Sequence, residues 1–388
     1  MSRFDFFKTP RIVFGRGRVA ELPALVAPLG RRALVVYNGD ELGAGGPLDR
    51  AVDLLDEASV DVNVFRQKGE PRVADVERGV AAARDAGCDF LVGLGGGSAI
   101  DCAKAVAGVL ANGGSPLDYM EVIGKGQALT RPATPWVAVP TTAGTGAEVT
   151  RNAVVGEPSR KFKASLRSEL LLPKVALVDP ELGVKLPPPV TAASGMDALC
   201  QLVESYTSTS ASAMTDALAL KGIELAARSL RRAYRDGADL EAREDMALAA
   251  LLSGITLTNA GLGAVHGFAA PIGANFPIPH GVVCAALLPH VTGANVRALQ
   301  SQSSTHPTLA RYAAAASMLG PGASTAEAAA GAMADLARDL SIPRLSNCGL
   351  NQSDVAEMVA LARKSSSMKY NPVALSDDEL AGALRAAL

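Results

Sequence analysis

An acid, an amide and two imidazoles are the groups in this chain whose types and spacing point to metal chemistry. Asp197 and Gln201 stand four residues apart in SGMDALCQLVES, so a helix brings them to one face. His266 and His280 close the two ends of HGFAAPIGANFPIPH, in a chain that has only four histidines. Imidazole and carboxylate donors suit Fe, Zn, Ni or Mn, which makes these residues a candidate metal site. The other two histidines, His290 and His306, read as structural.

Two further stretches have the make-up of ligand loops. Gly95-Gly96-Gly97-Ser98 follows the apolar run DFLVGL and precedes a helical pattern. Glycines there let backbone N–H groups approach a pyrophosphate, and the helix N-terminus adds partial positive charge. Residues 140–150, PTTAGTGAEVT, follow the apolar run WVAV. Their small residues and threonine hydroxyls allow close approach to an anion or a flat polar ring. The usual dinucleotide fingerprint, G-x-G-x-x-G after the first strand, is absent.

The elements that would position these groups are readable from periodicity. Strands are predicted at residues 11–14, 32–37, 60–65, 89–94, 136–139, 152–155, 163–166 and 175–178. Helices are predicted at 18–29, around Leu48 to Leu55, at 73–86 and at 99–110. Alternation of buried-type strands with helices predicts a parallel sheet covered on both faces. Pro187-Pro188-Pro189 reads as a stiff linker. Beyond it, helices are predicted at 192–208, 211–236, 240–260, 283–299, 307–318, 325–339 and 352–364, the first capped by Ser194, with no strand. The expected architecture is an α/β N-terminal domain with Rossmann-like nucleotide binding, residues 1–185, and an all-α domain for metal and substrate, residues 186–388.

Composition excludes several classes. The 37 basic and 39 acidic residues nearly balance, and no basic stripe points to nucleic acid. No uninterrupted apolar run approaches the ~18 residues that would point to a membrane span. The N-terminal MSRFDFFKTPR lacks the apolar core of a signal peptide. Five scattered cysteines without a CxxC fit reduced thiols and a cytoplasmic protein.

Taken together and in order, the GGGS turn, PTTAGTGAEVT, Lys163 with the later DPEL, GMDAL and the paired histidines resemble the iron-containing (group III) alcohol dehydrogenases. The resemblance runs from Phe14 to about Asn371. It implies a dehydroquinate synthase-like fold and a nicotinamide cofactor, NAD or NADP. The pyrophosphate would lie on Gly96, Gly97 and Ser98, with Asp101 on the helix that follows. Thr141, Thr142 and Thr145 would line the nucleotide, Lys163 would lie near it, and Leu182 near the adenosine end. It also implies a divalent metal, Fe2+ first and Zn2+ second, held by Asp197, His266 and His280. His266 and His280 are then the catalytic candidates, acting on the oxygen of a small alcohol or aldehyde. A homodimer or larger homo-oligomer is implied as well.

Two positions depart from the family pattern. Gln201 stands where the pattern has a ligand histidine, and Ala270 where a histidine proposed to assist proton transfer often lies. Gln201 is therefore a fourth ligand candidate through its amide oxygen, and a metal-independent reductase of the maleylacetate reductase type is the alternative. A dehydroquinate synthase-like lyase would need basic residues in the second half to hold a phosphate and a carboxylate. None lies between His266 and His280. A carboxylate after the second strand would select NAD; here Asn38 is followed by Gly39 and Asp40, which leaves NAD and NADP both open. The apolar residues Ala153, Leu262, Phe268, Phe276 and Ile278 are expected to line a modest, uncharged substrate.

Overall fold

The computed structural model describes residues 3–39, 42–43, 45–320 and 322–388. They form two units. One is Lys8–Leu186; the other is Pro187–Leu388 together with the N-terminal residues up to Phe7, whose N–H donates to Asn259 Oδ1 at 2.6 Å.

The first unit carries β1 (Arg11–Phe14), β2 (Arg32–Tyr37), β3 (Asp61–Arg66), β4 (Phe90–Gly95), β5 (Trp136–Pro140), β6 (Asn152–Glu157), β7 (Phe162–Arg167) and β8 (Val175–Val178). Six of these form a parallel sheet in the order β1-β8-β5-β4-β2-β3, and β6 pairs with β7 antiparallel. Its helices are α1 (Leu22–Val26), α2 (Pro47–Glu57), α3 (Val73–Asp85), α4 (Gly97–Asn112) and α5 (Pro116–Tyr119).

Side chains alternate across a strand, so each central strand feeds two cores. Val35, Val92 and Val137 join Leu22, Leu48 and Leu55 of α1 and α2 on one face. Leu34, Leu91 and Ala138 join Val76, Val80 and Val106 of α3 and α4 on the other. Burial on both faces is why these strands read as continuous apolar runs. The chain leaves β2 for β3 on one side and returns to β4 on the other. Strand order reverses there, and loops beyond the carboxyl ends of such strands are where open α/β sheets take ligands.

Residues 18–29 do not make one helix. A short 3-10 turn, Arg18–Glu21, precedes α1. Pro23 explains the break: proline is tolerated in a first turn, where its missing N–H is not needed, and disrupts an interior.

The second unit consists, among the described residues, of helices and turns: α6 (Pro188–Thr207), α7 (Ala213–Arg235), α8 (Leu240–Ala260), α9 (Ala264–Asn275), α10 (His280–Gln302), α11 (Pro307–Leu319), α12 (Ala326–Asp339), α13 (Val355–Ala362) and α14 (Asp377–Ala387). The three prolines are not a linker but the start of α6, with Pro187 as its N-cap. First-turn N–H groups have no helical acceptor, so the prolines cost nothing there. Ser194 lies inside α6 rather than capping it; its hydroxyl donates to Val190 O at 2.7 Å, one turn back. α9 and α14 were not foreseen, and α9 holds Gly267 and Pro271 in its interior. By length and composition α10 is apolar enough to cross a membrane, yet 72% of that window is buried inside the protein, as in a core helix.

Candidate functional site

In the α/β unit the two ligand loops meet. β4 ends at Gly95, whose φ of +144° suits glycine, and a Cβ there would lie 2.9 Å from Ala99 Cβ. Gly96 caps α4 and Gly97 opens it, with no side-chain cap. The first-turn N–H groups are those a helix leaves without an internal partner, which makes the position suited to an anion. A Cβ on Gly96 would lie 3.2 Å from Thr142 Oγ1, and one on Gly97 would lie 2.7 Å from Thr145 Oγ1. The Thr141 N–H donates to Gly95 O at 3.0 Å. The structure thus brings Gly96, Gly97, Ser98, Thr141, Thr142 and Thr145 together at the end of the sheet.

The remaining nucleotide candidates are placed less uniformly. Asn38 follows β2 and donates through Nδ2 to Gln67 Oε1 and Gly69 O, both at 2.7 Å. Asp40 lies outside the described residues. Lys163, on β7, pairs with Glu70. Leu182 is buried in the core on the α1 and α2 face of the sheet, in a turn whose Gly183 stands close to the Thr141 carbonyl. Asp101 has a structural attachment: Oδ2 accepts the Val154 N–H at 3.0 Å and Oδ1 lies 3.4 Å from Lys104 Nζ.

Lys104 was missed in the sequence. Its fully buried ammonium donates to Ala147 O at 2.8 Å, Thr150 Oγ1 at 2.9 Å and Asn152 O at 2.7 Å. It therefore fixes the far end of the threonine loop to α4. The available signal was a lysine three residues after Asp101 in an otherwise apolar helix.

In the helical unit, α6, α9 and α10 bring the metal candidates together. His266 Nε2 lies 3.2 Å from Asp197 Oδ1, and His280 Nε2 lies 3.7 Å from the same oxygen. Cys284, one turn after His280 on α10, joins them: its Sγ is 3.7 Å from His266 Nε2 and 3.6 Å from His280 Nε2. One donor atom from each of these four residues falls within 4.8 Å of all the others. His266 is buried; His280 has a side chain 39% exposed and is the member open to solvent.

The groups of the cluster are coupled electrostatically. Burial alone would raise the Asp197 carboxyl, but His280 and His266 hold it below its ordinary value. Burial lowers the His280 imidazole, and Cys284 and Asp197 outweigh it, bringing it up to about 9. Cys284 first and Asp197 second thus favour positive charge on His280, in the place where a bound cation would otherwise supply it. Carboxylate, imidazole and thiolate oxygen, nitrogen and sulfur are the donors that first-row divalent metals take, so the residues present fit such an ion.

Outer partners orient the set. His266 Nδ1 meets Glu204 Oε2 at 2.6 Å, leaving Nε2 turned toward Asp197. Glu204 Oε1 accepts the Val265 N–H at 2.7 Å and Asn371 Oδ1 accepts the Ala264 N–H at 3.1 Å, together capping α9. Glu204 was also missed, although it lies seven residues after Asp197, on the same helix face.

Gln201 contributes differently from the expectation. Its Nε2 donates to Asp197 Oδ2 at 3.2 Å while its Oε1 accepts the Ser253 hydroxyl at 2.7 Å. The amide oxygen expected to ligate is thus turned to α8, and Gln201 holds Asp197 in place instead. Ala270, one turn beyond His266, offers no proton relay. His306 is structural, its Nδ1 accepting the Thr308 N–H at 3.3 Å at the start of α11. Of the expected substrate lining, Ala153, Phe268 and Ile278 are buried in packed interiors; Leu262 and Phe276 are half-buried.

Comparison with known proteins covers nearly the whole chain. Residues 9–180 match the family model described as iron-containing alcohol dehydrogenase, and residues 191–388 match that of the Fe-containing alcohol dehydrogenase family, C-terminal. An alcohol dehydrogenase 4 of Schizosaccharomyces pombe is 36% identical over 97% of this chain and 87% of its own length. An NAD-dependent methanol dehydrogenase of Bacillus methanolicus is 35% identical over 99% of this chain and 100% of its own. Among solved structures, a 1,3-propanediol oxidoreductase superposes with a TM-score of 0.91 at 35% identity, covering 100% of both chains.

Proposed function

The chain belongs to the iron-containing alcohol dehydrogenase family and is an oxidoreductase, and from that premise we propose that it interconverts a small alcohol and its aldehyde or ketone with NAD or NADP. The observation that carries this reading is the convergence of Asp197, His266 and His280 on one point. A divalent metal held by these residues would act as a Lewis acid on the substrate oxygen, favouring the charge that develops there as hydride moves to or from the nicotinamide.

The chain's own residues divide the remaining work. Backbone N–H groups at Gly97 and Ser98, at the start of α4, would hold the pyrophosphate. Thr141, Thr142 and Thr145 would shape the surface beside it, in a loop whose far end Lys104 fixes. Glu204 and Gln201 orient His266 and Asp197. In the metal-independent alternative His280, unligated and open to solvent on one side, would be the residue suited to pass a proton to or from the substrate oxygen. Five unpaired cysteines support a reducing compartment such as the cytoplasm. A homodimer or larger assembly is part of the same proposal, and light scattering on the purified protein tests it.

The decisive experiment measures NAD+ and NADP+ reduction with short alcohols, including the methanol and 1,3-propanediol named for the relatives. It uses enzyme stripped of metal and reloaded with Fe2+ or Zn2+. Turnover that appears only on reloading supports the reading. Full turnover in stripped enzyme supports the metal-independent reductase instead.

A further inference from the structure

We propose that Cys284 Sγ is a direct ligand of the metal, taking the coordination place that Gln201 does not fill. The inference rests on the metal-dependent reading above and adds to it a sulfur donor from α10.

Three observations carry it. The first is distance. A tetrahedral ion with bonds of about 2.0–2.2 Å to nitrogen and oxygen and about 2.3 Å to sulfur sets donor edges of about 3.3 Å for N–O and about 3.6 Å for N–S. The N–O edges here are 3.2 and 3.7 Å, from His266 and His280 to Asp197. The N–S edges are 3.7 and 3.6 Å, from His266 and His280 to Cys284. These four edges, from donors on three helices, match those of such an ion, and all four atoms lie within 4.8 Å of one another; the substrate oxygen would then join as a fifth ligand.

The second is the commitment of Gln201. Its oxygen accepts from Ser253 and its nitrogen donates to Asp197, so it supports a ligand instead of being one. The third is the helical repeat. His280 and Cys284 are four apart on α10, so both project from one face, the spacing by which a helix offers two donors to one ion. Cys200, the other nearby thiol, lies 3.9 Å from His266 Nδ1, the nitrogen turned to Glu204, and falls outside the four-donor set.

A thiolate donor shifts preference toward Zn2+, Co2+ and iron and away from Mg2+ and Ca2+. The test replaces the native metal with Co2+ and reads the near-ultraviolet band that only a thiolate–cobalt bond gives. The full-length wild-type protein is expected to bind one Co2+ per chain and show the band. Cys284→Ser should lose the band and weaken Co2+ binding by more than the about 10–100-fold typical of removing an outer partner. Cys200→Ser should keep the band. Bound Co2+ without the band in wild type, or a band that survives in Cys284→Ser, overturns this inference alone. No Co2+ bound to wild type overturns it together with the metal-dependent reading. The wild-type spectrum decides without relying on the folding of any variant.

Discussion

Glu204 Oε2 and His266 Nδ1 lie 2.6 Å apart, both buried, and that bond decides which nitrogen of His266 faces Asp197. A carboxylate at Nδ1 keeps the proton there and leaves Nε2 free to ligate. In Glu204→Gln the amide oxygen is drawn to the Val265 N–H, which puts the NH2 against Nδ1 and drives the proton to Nε2. Metal affinity should fall by about 10–100-fold. Dialysis against graded chelator followed by metal analysis measures it, and wild-type retention in the variant would count against the assigned tautomer.

The threonine loop depends on Lys104. Its ammonium serves three acceptors and neutralises Asp101 inside the protein. In Lys104→Met the chain keeps its apolar stem, but the acceptors and the Asp101 carboxylate lose their partner. Removing one member of a buried charged network costs on the order of 3–5 kcal/mol. Calorimetry should show an earlier unfolding transition, and NADH titration should show weaker binding as the threonine loop loosens.

Glu148 gives the α/β unit a pH dependence. It is buried in the threonine loop, and desolvation raises its carboxyl from 4.5 to about 7 against the attraction of Lys104. The folded state then binds the proton more tightly than the unfolded state. This group's contribution is fully present below the unfolded pKa and is lost as pH rises through the folded one. Stability should fall between about pH 5 and pH 7, and Glu148→Gln should abolish that fall, gaining on the order of 3 kcal/mol over wild type at about pH 8 and under about 1 kcal/mol at about pH 5. Thermal midpoints of both proteins across that range check it; a constant gap would show that Glu148 is not the group responsible.

Much of this was legible in the chain. β2 and β8 fall where their apolar runs end, because strands buried on both faces carry uninterrupted apolar sequence. The two loops were legible because glycine and threonine clusters between a strand and a helix have few other uses. α9 was not, because Gly267 and Pro271 lower its local helical preference, and it is packing and the caps from Glu204 and Asn371 that hold it. Cys284 and Glu204 escaped notice for a different reason. Each is one or two turns from a candidate ligand on its own helix, but what brings it into the cluster is its distance to a residue on another helix.

The contact of Gly97 with Thr145 allows a test that separates packing from cofactor binding. A Cβ at position 97 would lie 2.7 Å from both Thr145 Oγ1 and Cγ2, too close without movement of the loop. Overpacking of this kind costs about 1–3 kcal/mol, so Gly97→Ala should lower the unfolding midpoint and weaken NADH binding. Gly96→Ala should do less, since its nearest neighbours in Thr142 stand at 3.2 Å. Thr145→Ala removes both atoms in the way. The double variant Gly97→Ala with Thr145→Ala should therefore recover most of the stability lost by Gly97→Ala, a coupling of at least about 1 kcal/mol in a double-mutant cycle. Its NADH affinity should stay low if the Thr145 hydroxyl itself meets the nucleotide. Additive stability losses would mean that the two loops are not in contact as described.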